Sequence, residues 1–310
     1  MRKWFKNLPP LHLHMWKDAQ HEFLNVNNLR IHAVSMGYNN SNKKDTPILL
    51  LHGFPDFHYS FRYIMPILAR NRKAIAIDQR GYNKSSKPPN VKDYGMKYLM
   101  EDIKEVILSI SPTNKVILVG HDWGGAISWH MARYFPELIE NLVIINCPPV
   151  DLLFRAFQHI PRQLFMSYYI FFFQIPYLPE IILGLNNFWI IQRIYKNIGD
   201  HISEREMQAY IDCFNRPRGL SGINYYRASL RAAFKPSTSS GKFKRVKCDT
   251  LVLWGVNDFA LHFNLTRYLP YYIDKKCNLI IRYYKHAGHF LHQEKPLLVA
   301  NRILEFIKSR

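Results

Sequence analysis

Short apolar runs recur along the chain, separated by segments whose apolar residues follow a helical spacing. A short, continuous apolar run is typical of a strand that is buried on both faces. The pattern predicts eight strands, at residues 23–26, 30–35, 47–51, 74–77, 116–119, 142–145, 251–254 and 279–283. It predicts helices at residues 96–109, 125–134 and 296–307. This alternation predicts a mostly parallel sheet flanked by helices, preceded by an antiparallel pair that turns at Asn27 and Asn28.

The alternation stops between the sixth and the seventh predicted strand. The intervening segment is rich in aromatic residues and has helical periodicity, without the short β-branched runs found elsewhere. We therefore predict an α/β core at residues 1–148 and 237–310, with a helical cap inserted at residues 149–236. An insertion that follows a strand end would cover the crevice where open parallel sheets bind ligands.

The strongest chemical signal is the sequence Gly120-His121-Asp122-Trp123-Gly124, which joins an apolar strand to a helix. Small residues on both sides of a central side chain are typical of the sharp strand-to-helix turn called a nucleophile elbow. A carboxylate at this position is already ionised, so Asp122 could attack carbon without a base to activate it. Alone, this motif is weak and favours the simpler interpretation that Asp122 caps the following helix.

Three further positions favour catalysis because they also follow predicted strands. Phe54 lies just after the strand at residues 47–51, where an α/β-hydrolase has one backbone N–H of its oxyanion hole, and Trp123 would supply the other. Asp258 follows the seventh strand and His289 follows the eighth. The order nucleophile, acid, histidine is that of the α/β-hydrolase fold. We therefore predict a triad of Asp122, Asp258 and His289.

Two other histidines in the same loop compete with His289. His286 precedes a tight turn and is expected to face solvent, and His292 is expected on the surface of the next segment. We prefer His289 because Gly288 before it permits a tight loop and Phe290 after it begins a buried run.

These residues resemble the α/β-hydrolase superfamily and, within it, the epoxide hydrolases, with the epoxide hydrolase 3 and 4 subgroup the most similar. The stretches HGFPDFHYSFRY, DQRGYNKSSKP and GHDWGGAISW are similar to that family's blocks in the same order. In the cap, SYYIFFFQIPYLPE and LSGINYYR are similar to its two tyrosine segments. The resemblance places Tyr169 and Tyr226 at the tyrosine positions. The residues alone do not separate them from their neighbours Tyr168 and Tyr225.

The resemblance implies a two-step hydrolysis of epoxides. Asp122 would attack an epoxide carbon while Tyr169 and Tyr226 stabilise and protonate the oxygen, giving an ester. His289, oriented by Asp258, would then activate the water that releases a vicinal diol.

The expected partner is a small lipophilic epoxide, such as an epoxidised fatty acid, a juvenile-hormone-like terpenoid or a xenobiotic. The two tyrosines, Phe54 and Trp123 would also bind this substrate. The resemblance implies no metal and no cofactor.

Two other functions remain open from the sequence. A haloalkane dehalogenase shares the aspartate nucleophile, and Trp123 could donate to a halide. Such enzymes typically have asparagine where this chain has Phe54. A catalytically idle ligand receptor of the same fold is the second alternative, although the intact triad positions argue against it.

Three residues depart from the family pattern. His58 and Phe61 replace tryptophans, which is expected to reshape one wall of the site. Asn83 replaces a glycine, and asparagine tolerates the left-handed backbone conformation required there.

Charge and cysteine content bound the remaining possibilities. The chain has 42 Lys and Arg against 23 Asp and Glu, a formal net charge of +19. No nucleic-acid-binding motif accompanies this excess, so we expect no nucleic acid and favour a basic surface on an anionic membrane. The four cysteines are far apart and form no metal or redox motif.

The N-terminal residues lack the unbroken apolar run of a signal peptide, and prolines interrupt the uncharged stretch at residues 163–179. We therefore expect neither a signal peptide nor a transmembrane helix. The expected location is the cytoplasm or the surface of a membrane, for example the endoplasmic reticulum. The sequence leaves the oligomeric state open.

Overall fold

The computed structural model describes residues 15–37, 46–70, 72–111, 113–196, 198, 202–234 and 243–308. Its centre is one eight-stranded sheet, formed by β1 (Gln20–Val26), β2 (Leu29–Met36), β3 (Ile48–Leu51), β4 (Ala74–Ile77), β5 (Val116–His121), β6 (Ile139–Ile145), β7 (Asp249–Gly255) and β8 (Leu279–Tyr284). The strand order is β1-β2-β4-β3-β5-β6-β7-β8. Strand β2 pairs antiparallel with β1 and β4, and all other pairs are parallel. The predicted fold class is confirmed.

Eleven helices are found in the described residues, together with several short 3₁₀ turns. Those of the core are α1 (Met65–Leu68), α2 (Met96–Ile110), α3 (Trp123–Tyr134), α10 (Leu291–Glu294) and α11 (Pro296–Lys308). Those between β6 and β7 are α4 (Val150–His159), α5 (Pro161–Met166), α6 (Tyr168–Phe172), α7 (Leu178–Lys196), α8 (Glu204–Phe214) and α9 (Ile223–Ala233). We call the segment from α4 to α9 the cap. Non-helical backbone interrupts α7 at residues 185–188.

The two faces of the sheet bury separate apolar clusters because side chains alternate along each strand. In β3, Leu49 and Leu51 belong to one cluster, whereas Ile48 and Leu50 belong to the other. The first cluster includes apolar residues of α2, α3 and the cap, and the second includes those of α1 and α11. All four β3 residues are fully buried, as the continuous apolar run predicts.

Two turn predictions are confirmed by the backbone. Asn27 and Asn28 connect β1 to β2 with φ of 48° and 60°, the left-handed pair that a two-residue hairpin requires. Asn83 also has a positive φ, of 38°. The proposed domain limits at 148/149 and 236/237 stay a prediction. The second limit lies outside the described residues, as does most of the N-terminal segment considered as a signal peptide.

A buried polar network joins the cap to the core. The carboxylate of Asp56 accepts hydrogen bonds from Tyr195 of α7 at 2.8 Å, Tyr210 of α8 at 3.0 Å and the Gln293 amide of α10 at 3.2 Å. Burial raises the pKa of Asp56 to about 6. Because an unpaired buried polar group is costly, these bonds favour one position of the cap over the sheet.

Within the described residues, no helix is both long enough and apolar enough to cross a bilayer. The uncharged stretch at residues 163–179 instead forms α6 and contributes to α5 and α7.

Candidate active site

Asp122 occupies a strained turn between β5 and α3. Its φ of 48° and ψ of −120° lie outside the regions that side-chain-bearing residues favour. Neighbouring atoms approach Gly53 and Gly124 so closely that no other residue fits at these two positions. A Cβ on Gly124 would lie 2.0 Å from the carbonyl oxygen of Leu51, and one on Gly53 would lie 2.3 Å from the Asp122 Cβ. The chain therefore forms the sharp turn that the motif predicts, and Asp122 does not act as a side-chain cap of α3.

The Asp122 carboxylate has a hydrogen-bond donor on one oxygen and an imidazole near the other. The Phe54 backbone N–H donates to Oδ1 at 2.8 Å, and His289 Nε2 lies 3.6 Å from Oδ2. Burial alone would raise the pKa of Asp122, but the His289 imidazole and the Phe54 N–H outweigh it and lower that pKa. Trp123 is the first residue of α3, so its N–H has no acceptor within the helix.

Asp258 holds the ring of His289 from the other side. His289 Nδ1 lies 2.8 Å from Asp258 Oδ2, while the backbone N–H groups of Ala260 and Leu261 donate to Oδ1 at 2.7 and 2.9 Å. Burial would lower the pKa of His289, but the charges and hydrogen bonds of Asp258 and Asp122 raise it to about 10. An imidazolium is therefore flanked by two carboxylates.

Asn146 is a supporting residue that the sequence reasoning missed. Its side-chain NH₂ donates to Asp258 Oδ2 at 2.7 Å, and its Oδ1 accepts from the Gly255 N–H at 3.0 Å. It follows β6 with a φ of 45°. The signal was present in principle, because an asparagine directly after β6 stands beside the end of β7 in the sheet, and Asp258 follows β7.

Tyr169 of α6 and Tyr226 of α9 lie above Asp122. Both line the same cavities as Asp122, and their ring centroids are 5.6 Å apart. Burial first, and then the Asp122 charge, raises the pKa of each phenol well above its ordinary value, so both hydroxyls stay protonated. The competing tyrosines differ from this pair: Tyr168 lines only the larger cavity and is 72% exposed, and the Tyr225 hydroxyl donates to the Arg80 carbonyl at 2.8 Å.

Two cavities of unequal size meet at this point. The large lobe has a volume of about 360 Å³ and an apolar wall that includes Phe172, Leu183 and Ile190. The small lobe has about 40 Å³ and is lined in part by Cys147 and Leu153. The shared lining consists of Asp122, Tyr169 and Tyr226. The arrangement can present a carboxylate and two phenol O–H groups to one bound molecule.

One prediction about the loop histidines is wrong. His286 is exposed, as predicted. His292, expected on the surface, is fully buried, and its ring lies 4.5 Å from that of His121. The reason is that α10 folds back under the triad, where His121 Nε2 also contacts the His289 carbonyl at 3.0 Å.

The prediction that His58 and Phe61 reshape one wall of the site is also wrong. Neither residue lines either lobe. Nδ1 of His58 lies 2.8 Å from the buried Asp78, and Phe61 packs in the cluster on the opposite face of the sheet. Phe61 therefore affects the packing of that cluster, and His58 affects the polar contacts around Asp78, rather than a wall of either lobe.

Among the residues that the structure describes, two buried groups of side chains have the donor types of a metal site: His32, His58 and Asp78, and Asp56, His121 and His292. In each group the carboxylate already accepts several hydrogen bonds, as expected for a buried acid that is satisfied without a metal. We assign neither group to a metal.

Comparisons with known proteins agree with this geometry. Residues 46–183 match the family model described as alpha/beta hydrolase fold. The chain is 33% identical to human epoxide hydrolase 4, over 91% of this chain and 76% of that protein. It is 31% identical to epoxide hydrolase 2 of Caenorhabditis elegans, over 94% and 81% of the two chains. A crystal structure of Bacillus megaterium epoxide hydrolase with an inhibitor superimposes with a TM-score of 0.83 at 26% identity, covering 93% of this chain and 100% of that one.

Proposed function

This chain belongs to the epoxide hydrolase family of α/β-hydrolases, and from that membership we propose that it adds water to lipophilic epoxides to give vicinal diols. The observation that carries the proposal is the junction of the two lobes, where Asp122 meets both cap tyrosines and His289. A nucleophile, two acids for the epoxide oxygen and a base for water are all that ring opening and ester hydrolysis require.

In the first step, Asp122 Oδ2 attacks an epoxide carbon and the carbon–oxygen bond of the ring breaks, while Oδ1 keeps the hydrogen bond from the Phe54 N–H. The electron pair of that bond goes to the ring oxygen, which Tyr169 and Tyr226 stabilise by hydrogen bonds and protonate. The lowered pKa of Asp122 keeps the nucleophile ionised, and the raised pKa values of the phenols keep both donors protonated.

Formation of the ester prepares His289 for the second step. The ester is neutral, so the Asp122 charge no longer helps to raise the pKa of His289, and the imidazolium loses its proton more readily. The phenol that protonates the ring oxygen is left as a phenolate, and the proton that His289 gives up restores this phenol through solvent, so the first step needs no external acid. Neutral His289 then takes a proton from the water that attacks the Asp122 carbonyl. The N–H groups of Phe54 and Trp123 stabilise the oxyanion, and the carboxylate and imidazolium are restored with release of the diol.

The unequal lobes favour an epoxide with one long and one short substituent. With the reacting carbon held at Asp122, the large lobe of about 360 Å³ has room for a long apolar group, whereas the small lobe of about 40 Å³ has room for a much shorter one. A terminal or near-terminal lipophilic epoxide fits better than one in the middle of a long chain.

We also propose that the protein works in the cytoplasm or on a membrane surface. The net charge of +19 supports this location, because it favours contact with anionic lipid headgroups.

The direct test is diol formation from a panel of aliphatic epoxides, with halide release from alkyl chlorides measured in parallel. We expect diol from the wild type, none from Asp122→Asn, and a preference for terminal epoxides. Asp122→Asn keeps the shape of the side chain but removes the ionised nucleophile. Unchanged turnover in this variant would overturn the mechanism. Halide release without diol would favour a dehalogenase, and ligand binding without turnover would favour a receptor.

A further inference from the structure

We propose that the outer surface of residues 161–189 docks onto an anionic lipid leaflet, with the mouth of the large lobe facing the lipid. We call this surface the apolar cap face. Docking itself is independent of the reaction, whereas the delivery of substrate from the leaflet rests on the proposed epoxide hydrolysis.

Large apolar side chains are concentrated on this face. Ten of the 21 exposed large apolar residues in the described chain lie within residues 164–189: Leu164, Phe165, Tyr168, Phe171, Ile175, Tyr177, Leu178, Ile181, Leu185 and Trp189. Tyr177 is 79% exposed and Phe165 is 77% exposed. Single exposed apolar residues are ordinary, but a concentration of this size marks a binding surface.

The apolar cap face adjoins the large lobe. Tyr168, which belongs to this face, and Phe259 both line the lobe and are 72% and 56% exposed, so the lining of the lobe reaches the surface. Buried parts of α6 and α7 line the lobe, and exposed residues of the same helices form the apolar cap face. A lipophilic molecule that left a bilayer at this face would enter the lobe without crossing water.

The charge distribution favours lipid over a second copy of the chain. Residues 161–196 contain three basic residues (Arg162, Arg193 and Lys196) and one acidic residue, Glu180. Glu180 is neutralised by Arg227 at 2.6 Å. Two chains with a net charge of +19 would repel each other, whereas anionic headgroups would attract this surface. Tyrosine and tryptophan among its exposed residues are also typical of membrane–water interfaces.

Co-sedimentation with vesicles tests the proposal. We expect the full chain to bind phosphatidylcholine vesicles that contain phosphatidylserine, and to bind pure phosphatidylcholine more weakly. The double variant Phe165→Glu with Ile181→Glu places two charges on the apolar cap face and should reduce binding about tenfold or more. The control Tyr271→Glu with Leu298→Glu adds the same charges at exposed apolar positions of the core and should retain most of the binding.

A second measurement reports on insertion directly. Trp189 is 54% exposed on the apolar cap face, so its fluorescence should shift to the blue when the protein binds anionic vesicles. The shift should disappear in Trp189→Phe while co-sedimentation persists.

Three results would overturn the proposal: no binding of the wild type to anionic vesicles, equal loss in both double variants, or an unchanged blue shift in Trp189→Phe. Light scattering that showed a dimer dissociated by Phe165→Glu with Ile181→Glu, with no vesicle binding, would assign the face to a second copy instead.

The double variant Phe165→Glu with Ile181→Glu should hydrolyse a water-soluble epoxide as fast as the wild type does. Its rate on a bilayer-dissolved epoxide should fall. Vesicle binding without any epoxide turnover would reject the proposed function and leave the docking proposal standing.

Discussion

The core and the cap position their catalytic side chains in different ways. Asp122, Asp258 and His289 each follow a strand, and backbone N–H groups or neighbouring side chains hold their polar atoms at hydrogen-bond distances. Tyr169 and Tyr226 lie on helices and are positioned mainly by ring packing against Phe54, Phe173, Trp123 and each other. The positions of the triad residues are thus fixed by the register of the sheet, whereas the positions of the two tyrosines depend on the orientation of their helices.

This difference predicts how the two halves respond to substitution. The core groups are linked by hydrogen bonds and by the ion pair between His289 and Asp122, so the loss of one disturbs its neighbours. The cap tyrosines share one task, so each can partly replace the other.

Removal of both cap hydroxyls should have the largest effect. We expect Tyr169→Phe and Tyr226→Phe each to lower kcat about 10²-fold, and the double variant to lower it by more than about 10⁴-fold, because the second phenol partly compensates in each single variant. Steady-state diol formation measures this, with Tyr168→Phe as the matched control that should retain activity. A control as impaired as Tyr169→Phe would show that the wrong tyrosine is assigned.

Removal of the Asn146 amide should have a smaller effect, confined to the second step. We choose Asn146→Gly because glycine accepts the φ of 45° found there. A hydrogen bond to a charged group contributes about 1.5–3 kcal/mol, so ester hydrolysis should slow about tenfold or more while ester formation changes little. Rapid-quench kinetics separates the two steps, and Asn114→Gly, an exposed asparagine with a φ of 56°, is the control. Equal slowing of both steps would contradict a role through Asp258.

The last prediction concerns the pH dependence of stability and not turnover. The folded pKa of His289 is raised to about 10, above its ordinary value of 6.5. Its contribution to stability is therefore complete below pH 6.5 and is lost as the pH rises toward 10. Urea unfolding of the wild type should become easier over this range than unfolding of His289→Gln, when each is compared with its own value at the lower pH. Parallel pH dependence in the two proteins would contradict the raised pKa.

The same distinction explains what could be predicted from the sequence. The eight strands, the elbow and the triad positions follow from apolar runs and the residues after them. Local sequence does not distinguish Tyr169 from Tyr168, since only the orientation of α6 separates them, and that choice needed the family resemblance.

The errors have the same origin. His292 lies in a polar-looking segment, but the fold of α10 buries it beside His121. Asn146 becomes visible as a support for Asp258 only once β6 and β7 are known to be neighbours. Contacts between elements that are distant in sequence determine both cases.

The central claim is that the substrate becomes bonded to Asp122 before water attacks. A single turnover in water labelled with oxygen-18, with enzyme in excess over a terminal epoxide, tests this claim most directly. If the ester forms, the first diol carries an unlabelled oxygen from Asp122, and the peptide containing Asp122 becomes labelled. A labelled first diol, with an unlabelled Asp122 peptide, would show that water attacks the epoxide directly and would contradict the account.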